Sequence, residues 1–273
     1  MKLWEGLGYY SRARNLQKAA RMVVEVYDGK FPETYEGLLS LAGIGEYTAG
    51  AIASAAYSVR VPAVDGNVLR VLSRILDDDT PIDLPAQKKK IRQLLEAVYP
   101  EDAGDFTQAL MELGATVCGP NRKPDCGNCP CRNFCRGYRS GRAEALPVKM
   151  PKKGRKTVDM TVFVLRCEDS YALEKRPDSG LLAGLWQFPN REGMLEISDA
   201  LAYVEHMGLK PREIIRQVER KHIFTHIQWN MRGVYIEVAE KAGGFSWMTE
   251  AQIEKEAALP TAFRQFWEET ENV

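Results

Sequence analysis

The hydrophobic period of this chain changes once, and that change constrains the fold more than any other feature. From Leu3 to about Gly137 apolar residues recur at helical spacing, as in NVLRVLSRIL. After Thr157 the spacing shortens to two in TVDMTVFVLRCEDSYALEKRP and later in MRGVYIEVAE, with one helical pattern, ISDALAYVEHMGL, between them. The sequence therefore predicts an all-α domain followed by an α+β domain.

The two patterns are separated by SGRAEALPVKMPKKGRKT, which has two prolines, two glycines and no apolar periodicity. We interpret these residues, 140–157, as a basic linker between domains at 1–139 and 158–273. The whole chain of 273 residues is formally neutral. Neutrality argues against a protein that coats nucleic acid at random, because counterion release needs many Lys and Arg contacts, but it is compatible with a small local footprint.

The chain carries no obvious membrane or export signal. No apolar run approaches the roughly 18 residues that a membrane-spanning helix needs. The N-terminal stretch MKLWEGLGYYSRARNLQ lacks the apolar core of a signal peptide. We expect a cytoplasmic protein with no membrane partner.

Two glycines, Gly43 and Gly45, stand one residue apart between helical patterns in LAGIGEYTAGA. Each would weaken a helix by roughly 1 kcal/mol relative to alanine. A Gly-x-Gly turn that opens a helix leaves backbone N–H groups pointing outward, where the helix dipole adds partial positive charge. The turn is therefore either a seat for a phosphate group or an ordinary tight connection between two helices.

Asp65 lies in AYSVRVPAVDGNVLRV, just before a helix predicted to begin near Asn67. A carboxylate about 4 Å from a developing positive charge stabilises that charge by on the order of 4 kcal/mol at an effective dielectric near 20. An aspartate before a helix is also a common N-cap, and Asp-Gly is a common turn pair. Position alone leaves both roles open.

The hairpin, the loop and the aspartate together resemble the helix-hairpin-helix DNA glycosylase superfamily. VPAVDGNVLRVLSRIL matches it closely, and with GLGYYSRARNL the chain resembles the MutY-type adenine glycosylases over nearly its whole length. The resemblance implies base-excision DNA repair, in which Asp65 stabilises the sugar cation and Gly43 and Gly45 contact DNA. The implied substrate is double-stranded DNA with adenine opposite 8-oxoguanine or guanine, bound by a monomer at the nucleoid in the bacterial cytoplasm.

The same resemblance gives roles to four other residues. Superfamily members that also cleave the DNA backbone carry a lysine where Tyr47 stands, so water is expected to attack the sugar, making a monofunctional hydrolase of N-glycosyl bonds. Tyr47 would lie beside the reacting base, and Asn67 would help with orientation. Leu7 and Tyr9 match a segment that enters DNA beside the lesion, where an aromatic ring replaces lost stacking; without the resemblance, Tyr9 is equally a half-buried helix aromatic.

Five of the six cysteines lie in CGPNRKPDCGNCPCRNFC. Such crowding in a cytosolic chain indicates metal ligation rather than disulfides, and the spacing alone favours zinc. The position of the loop resembles the family's [4Fe–4S] loop, which implies a structural cluster on Cys118, Cys126, Cys129 and Cys135. The first gap has seven residues where the family pattern has six, so Cys131 is an alternative fourth ligand.

The second domain begins with RPDSGLLAGLWQFPN, which resembles the start of a Nudix domain. The glutamate-rich helix with which a Nudix hydrolase holds magnesium is not supplied by REGMLEISDALAYVEHMGL, so we expect a recognition module. Phe224, Thr225 and His226 match the family's Phe-Ser-His segment, which implies contact with 8-oxoguanine. The predicted fold is thus multidomain: an all-α helix-hairpin-helix glycosylase domain with an iron–sulfur loop, plus an α+β Nudix-like C-terminal domain.

The match begins inside the family's domain, at Leu3 and Trp4. The family segment that supplies a glutamate to protonate adenine has no counterpart here, so we expect a chain that lacks the N-terminal helices. Loss of a general acid costs about two to four orders of magnitude in rate. The alternatives are an adenine glycosylase and a catalytically impaired fragment that only binds DNA; a zinc-stabilised regulator and a nucleotide hydrolase are weaker ones.

Overall fold

The structure, a computed structural model, describes residues 1–120, 122–151, 154–242 and 244–270. They form two compact units: residues 15–152, here called the helical unit, and residues 1–14 with 153–273, here called the sheet unit. The all-α and α+β classes are confirmed. The division differs from the predicted one in that residues 1–14 pack with the sheet unit. Residues 152 and 153 of the predicted linker lie outside the described residues.

The helical unit is built from short amphipathic helices, as predicted. They are α1 (Tyr10–Val26), which starts within residues 1–14, α2 (Tyr35–Ser40), α3 (Glu46–Tyr57), α4 (Gly66–Leu76), α5 (Pro85–Val98), α6 (Ala103–Glu112) and α7 (Arg136–Arg139), with a π-helical turn at Leu113–Val117. Apolar residues of α4, α5 and α6 share one core around the buried Tyr99. A smaller core around Leu38 joins α2 to α3. No helix in the described residues is long and apolar enough to cross a membrane.

Local sequence sets the ends of the helices that carry the candidate site. Thr34 caps α2 by accepting from the Gly37 N–H, and Asp65 caps α4 in the same way. The residues after α3 and α4, Ser58 and Asp77, adopt left-handed backbone that stops each helix. These caps fix where α4 begins relative to the loop before it.

The sheet unit contains seven strands and three helices in the described ranges. They are β1 (Lys156–Cys167), β2 (Ser170–Lys175), β3 (Trp186–Gln187), β4 (Asn190–Glu192), α8 (Ile197–His206), β5 (Pro211–Ile223), β6 (Ile227–Val238), β7 (Ser246–Thr249), α9 (Glu250–Glu256) and α10 (Thr261–Trp267). The main order is β3-β2-β1-β6-β5. β1 is parallel to β6 and antiparallel to β2 and β4, while β5 is antiparallel to β6. β1 and β2 form a hairpin within TVDMTVFVLRCEDSYALEKRP, the stretch in which the period of two begins.

Both faces of this sheet are covered, because alternate residues of β1 point to opposite sides. On one face Val162 and Val164 share a core with Phe263 and Phe266 of α10. On the other face Phe163 packs in the core that α8 completes. Strand β5 was not predicted, because charged and polar residues such as Arg216, Arg220 and His222 occupy half-buried positions, so no alternation of apolar and polar residues marks it.

Residues 1–14 are attached to the sheet unit by burial and by ion pairs. Tyr10 is buried in one cluster with Leu185. A carboxylate oxygen of Glu5 accepts a hydrogen bond from the Leu259 N–H at 2.9 Å, and its other oxygen lies 2.6 Å from the Lys2 ammonium. Glu5 therefore has a structural role in this segment.

Candidate active site and exposed groove

The two glycines of the hairpin are explained by different constraints. Gly43 has φ +80°, and a Cβ there would lie 2.5 Å from the Asn15 Cβ, so both the turn and the packing require glycine. Gly45 is the N-cap of α3 at φ −93°, and an added Cβ would meet nothing within 4 Å. The open space at the start of α3 could hold a phosphate group. Contact of Gly43 and Gly45 with DNA stays a prediction.

Asp65 is held by hydrogen bonds to both of its carboxylate oxygens. Oδ1 accepts from the Val68 N–H at 2.8 Å, and Oδ2 accepts from the Asn67 side-chain amide at 2.8 Å. The N-cap role left open by the sequence is therefore real. It fixes a half-buried carboxylate at the edge of a groove of about 810 Å³ inside the helical unit, which Asn67 also lines.

Tyr47 lies within electrostatic reach of Asp65. Burial, and then the charge of Asp65, raise the pKa of the Tyr47 phenol, so the hydroxyl stays protonated at neutral pH. The side chain remains 41 % exposed, and its hydroxyl points at the Met111 sulfur, 3.9 Å away. Of the three residues predicted to be catalytic, Asn67 thus contacts Asp65, and Tyr47 lies within electrostatic range of the same carboxylate.

Two buried arginines of α4 connect this site to the cysteine loop, and the sequence analysis missed them. In NVLRVLSRIL, Arg70 and Arg74 fall on a different face from the apolar residues, yet they are only 6 % and 4 % exposed. Arg70 donates to the Asn67 side-chain oxygen at 2.9 Å, to the Gly114 carbonyl at 2.7 Å and to the Cys118 carbonyl at 2.9 Å. A usable signal was present: α4 contains no acidic residue that could pair with either arginine.

Arg74 fastens the cysteine loop and the segment that follows it. Its guanidinium donates to the Leu146 carbonyl at 2.8 Å, to the Cys118 sulfur at 3.1 Å and to the Gly119 carbonyl at 3.2 Å. Part of the predicted linker is therefore bound to the helical unit. Leu146 itself is buried.

Five cysteines line one narrow apolar cavity: Cys118, Cys126, Cys129, Cys131 and Cys135. Burial, and then the neighbouring Cys129, raise the pKa of Cys131 to about 11. Among the described residues, no three His, Cys, Asp or Glu side chains are placed to hold a metal ion. The donor chemistry, thiols around an apolar cavity, nonetheless suits a soft metal or an iron–sulfur cluster. The seven-residue gap includes Asn121, which lies outside the described residues.

The sheet unit has its own groove, of about 570 Å³, lined by residues 6–11, 180–182 and 222–227 together with Arg14, Pro260 and Thr261. Leu7 and Tyr9 are exposed there by 67 % and 68 %, and the Arg12 guanidinium lies 4.7 Å from the centre of the Tyr9 ring. Leu7 and Tyr9 were predicted to contact DNA, as were the three residues of the 224–226 segment. All five line this one groove.

Within the 224–226 segment the three residues differ in their surroundings. The Phe224 N–H donates to the Ile227 carbonyl at 2.8 Å and closes a tight loop, which leaves Thr225 and His226 exposed at its tip. Phe224 is half-buried and packs edge-on against Trp229, with ring centres 4.8 Å apart. Phe224 thus anchors the loop, while its neighbours present polar groups to the groove.

Comparison with known proteins gives the same two-part division. Residues 1–101 match the model of the HhH-GPD superfamily of base excision DNA repair proteins, and residues 161–269 match the NUDIX domain. The adenine DNA glycosylase of Arabidopsis thaliana is 38 % identical over 89 % of this chain and 43 % of its own length. The adenine DNA glycosylase of Rattus norvegicus is 36 % identical over 99 % of this chain and 60 % of its own length.

These matches confirm the predicted resemblance and both predicted domain types. The chain spans about half the length of these two relatives. The predicted location in bacterial cytoplasm stays a prediction, because these relatives come from a plant and a mammal.

Proposed function

The chain belongs to the adenine DNA glycosylase family, and on that premise we propose that it hydrolyses the N-glycosidic bond of adenine facing 8-oxoguanine or guanine in duplex DNA. The observation that carries the proposal is the placement of Asp65. Its carboxylate is fixed by two hydrogen bonds at 2.8 Å, one of them from Asn67, and it lies within electrostatic range of Tyr47.

The chemistry required of these residues is electrostatic. As the bond between adenine and C1′ lengthens, its electrons leave with the base and positive charge develops on the sugar. A carboxylate that is already oriented stabilises this charge without reorganising, which is the more effective arrangement. Tyr47 offers no amine for a Schiff base, so water adds to C1′ and the product is an intact abasic strand.

We propose that the helical unit binds the target strand and that the sheet unit recognises the opposite base. The turn at Gly43 and Gly45 would bind a phosphate of the target strand through its backbone N–H groups. In the sheet unit, Thr225 would hydrogen-bond to the edge of 8-oxoguanine, since a hydroxyl can donate or accept. We propose that one copy of the chain binds one duplex.

The cysteines would serve the fold. We propose that Cys118, Cys126, Cys129 and Cys135 hold a [4Fe–4S] cluster, with Cys131 as the alternative ligand. The support is that these thiols line one cavity and that Arg74 contacts the Cys118 sulfur. When bound, the cluster would brace the loop between α6 and α7, and no step of the hydrolysis depends on it.

A second function, DNA binding without turnover, is favoured by one observation. Apart from Asp65, the carboxylates that line its groove in the described part of the chain are Asp83 and Glu144. Asp83 accepts a hydrogen bond from the Met150 N–H at 3.1 Å, and Glu144 lies 3.0 Å from the Lys123 ammonium. Both side chains are exposed, whereas a carboxyl group that donates a proton near pH 7 is kept protonated by burial, so neither has the setting of a general acid.

A single-turnover assay separates the two functions. The chain, in excess over a duplex with one adenine opposite 8-oxoguanine, should release adenine and leave a strand that breaks only after alkali treatment. The same duplex with adenine opposite thymine should remain intact. Binding of the mispaired duplex without abasic product would establish the second function and reject the first.

A further inference from the structure

Two strained residues border the groove of the sheet unit. Six residues other than glycine have left-handed backbone in the described ranges: Tyr9, Asp28, Ser58, Asp77, Glu168 and Leu182. Such backbone costs roughly 1–2 kcal/mol for a bulky side chain. Tyr9 and Leu182 are the two large apolar members of this set, and both line the same groove. Strain that is retained at a groove indicates that the geometry is used there.

On one side of the groove the neighbouring residues Leu181 and Leu182 differ in their surroundings. Leu182, at φ +57°, packs its side chain against the core of the sheet unit. The adjacent Leu181 lines the groove and is 38 % exposed. The exposed part of Leu181 adjoins the exposed Leu7, Tyr9 and Ile223 on the same groove, so together they form an apolar surface that a ligand could cover.

The backbone around Leu181 is also held from two directions. The Arg176 side chain donates to the Leu181 carbonyl at 2.8 Å, and the Arg14 guanidinium donates to the Ala183 carbonyl at 2.5 Å. An apolar side chain on a loop that is already ordered loses little conformational entropy when it is covered. The loop is therefore suited to contact a ligand without rearrangement.

The chemistry of the groove identifies the ligand class. Leu7, Tyr9, Leu181 and Ile223 offer exposed apolar surface, while Thr225 and His226 offer hydrogen-bonding groups. A flat ring with apolar faces and polar edges matches this combination, and a nucleobase has that chemistry. Arg14, on the same groove, adds a positive charge suited to the attached phosphate.

We propose that Leu181 is a further DNA-contact residue, which packs against the nucleobase that Thr225 and His226 recognise and raises affinity for the lesion. This inference rests on the proposed function, because it takes the altered guanine as the ligand. Residues 180–182 would thus contribute to lesion recognition together with the 224–226 segment.

The test measures dissociation constants of the whole chain for two duplexes. One contains 8-oxoguanine opposite a non-hydrolysable adenine analogue, and the other has a G·C pair at the same place. Leu181→Ala should weaken binding of the lesion duplex about tenfold, from the loss of roughly two buried methylene groups. Binding of the G·C duplex should change less than about twofold. Leu181→Gln, which keeps the length but not the apolar surface, should behave alike.

The matched control is Ile197→Ala, since Ile197 is 45 % exposed in the same unit but belongs to α8. It should bind both duplexes as the unchanged chain does. If Leu181→Ala and Leu181→Gln bind the lesion duplex as tightly as Ile197→Ala, or lose affinity equally for both duplexes, the inference is wrong while the proposed function stands. If the unchanged chain does not distinguish the duplexes, lesion recognition in the proposed function fails, and the inference fails with it.

Discussion

The helical unit holds its candidate catalytic residues through their side chains, whereas the sheet unit holds its candidate recognition residues through the backbone. Both oxygens of Asp65 accept hydrogen bonds, and Arg70 continues the chain of contacts from Asn67 to the cysteine loop. In the sheet unit, by contrast, Thr225 and Leu181 are exposed on loops whose backbone groups are held, by backbone hydrogen bonds in both loops and by the Arg176 side chain at the Leu181 carbonyl. The difference has a physical reason. A carboxylate that acts through its charge must keep its oxygens in place, whereas a binding surface needs an ordered backbone with side chains left exposed for the ligand.

The largest expected effect separates chemistry from stability at Asp65. Asn is as good an N-cap as Asp and keeps one acceptor oxygen, but it loses the hydrogen bond from the Asn67 amide, so Asp65→Asn should lower the free energy of unfolding by only about 1 kcal/mol. It removes the negative charge, which is worth on the order of 4 kcal/mol, so adenine release should slow about a thousandfold. Single-turnover release and thermal unfolding measure the two effects. An unchanged rate would show that Asp65 is only a cap.

Arg74→Met tests whether buried side-chain contacts hold the helical unit together. The change leaves the carbonyls of Leu146 and Gly119 without a donor, and losing one side of such a buried network costs about 3–5 kcal/mol. Arg136→Met is the matched control, because Arg136 is an exposed arginine of α7, and it should cost less than about 0.5 kcal/mol. Equal unfolding midpoints in urea for the two variants would contradict the comparison between the units.

The hairpin glycines give a smaller and local contrast. Gly43→Ala should destabilise the chain by about 2–4 kcal/mol, because it combines left-handed backbone with a clash against Asn15. Gly45→Ala should cost less than about 1 kcal/mol, since that position is open and only the N-cap preference is lost. Urea unfolding measures both. A larger loss at Gly45 would mean that the open turn is under a constraint not visible in its packing.

Much of this architecture followed from the sequence, and the parts that did not have a common cause. The change of hydrophobic period gave both domain classes, and the motif around Asp65 brought together the three candidate catalytic residues. Strand β5 was missed because Arg216 and Arg220 occupy half-buried positions of the strand, and sequence periodicity detects burial only where the buried residues are apolar. The burial of Arg70 and Arg74 was missed because the groups that satisfy them are backbone carbonyls in loops distant along the chain. Such partners leave no signal in the sequence around the arginines.

The placement of residues 1–14 with the sheet unit also escaped the sequence analysis. Their attachment depends on contacts between residues about 250 positions apart, such as Glu5 with Leu259. The same holds for the loop that carries Leu181, because one of the donors that hold its backbone is Arg14, 169 positions from its acceptor at Ala183. Helix and strand patterns report on residues that are near one another in the sequence, so they do not reveal contacts between distant segments.

The smallest expected effect concerns pH and contrasts one carboxylate from each unit. Burial opposes ionisation of Asp78, but hydrogen bonds from Lys90, Thr80 and Gln87 outweigh it and hold the pKa of Asp78 well below its usual range. A lowered folded-state pKa means that the ionised form stabilises the fold above about pH 4, the usual value for an unfolded aspartate, and that this contribution is lost as the pH falls further. Asp78→Asn should therefore cost about 1 kcal/mol at pH 7.

The difference between Asp78→Asn and the unchanged chain should shrink as unfolding is followed from pH 7 to below pH 4. Asp169 of the sheet unit is the matched control. The hydrogen bond from Ser170 also lowers its pKa, but its side chain is 74 % exposed. Solvent screens such a group, so Asp169→Asn should leave the unfolding midpoint unchanged at every pH. If Asp78→Asn remained equally destabilising below pH 4, the contacts of Asp78 would stabilise the fold independently of its charge. The two carboxylates would then not differ in their electrostatic contribution to stability.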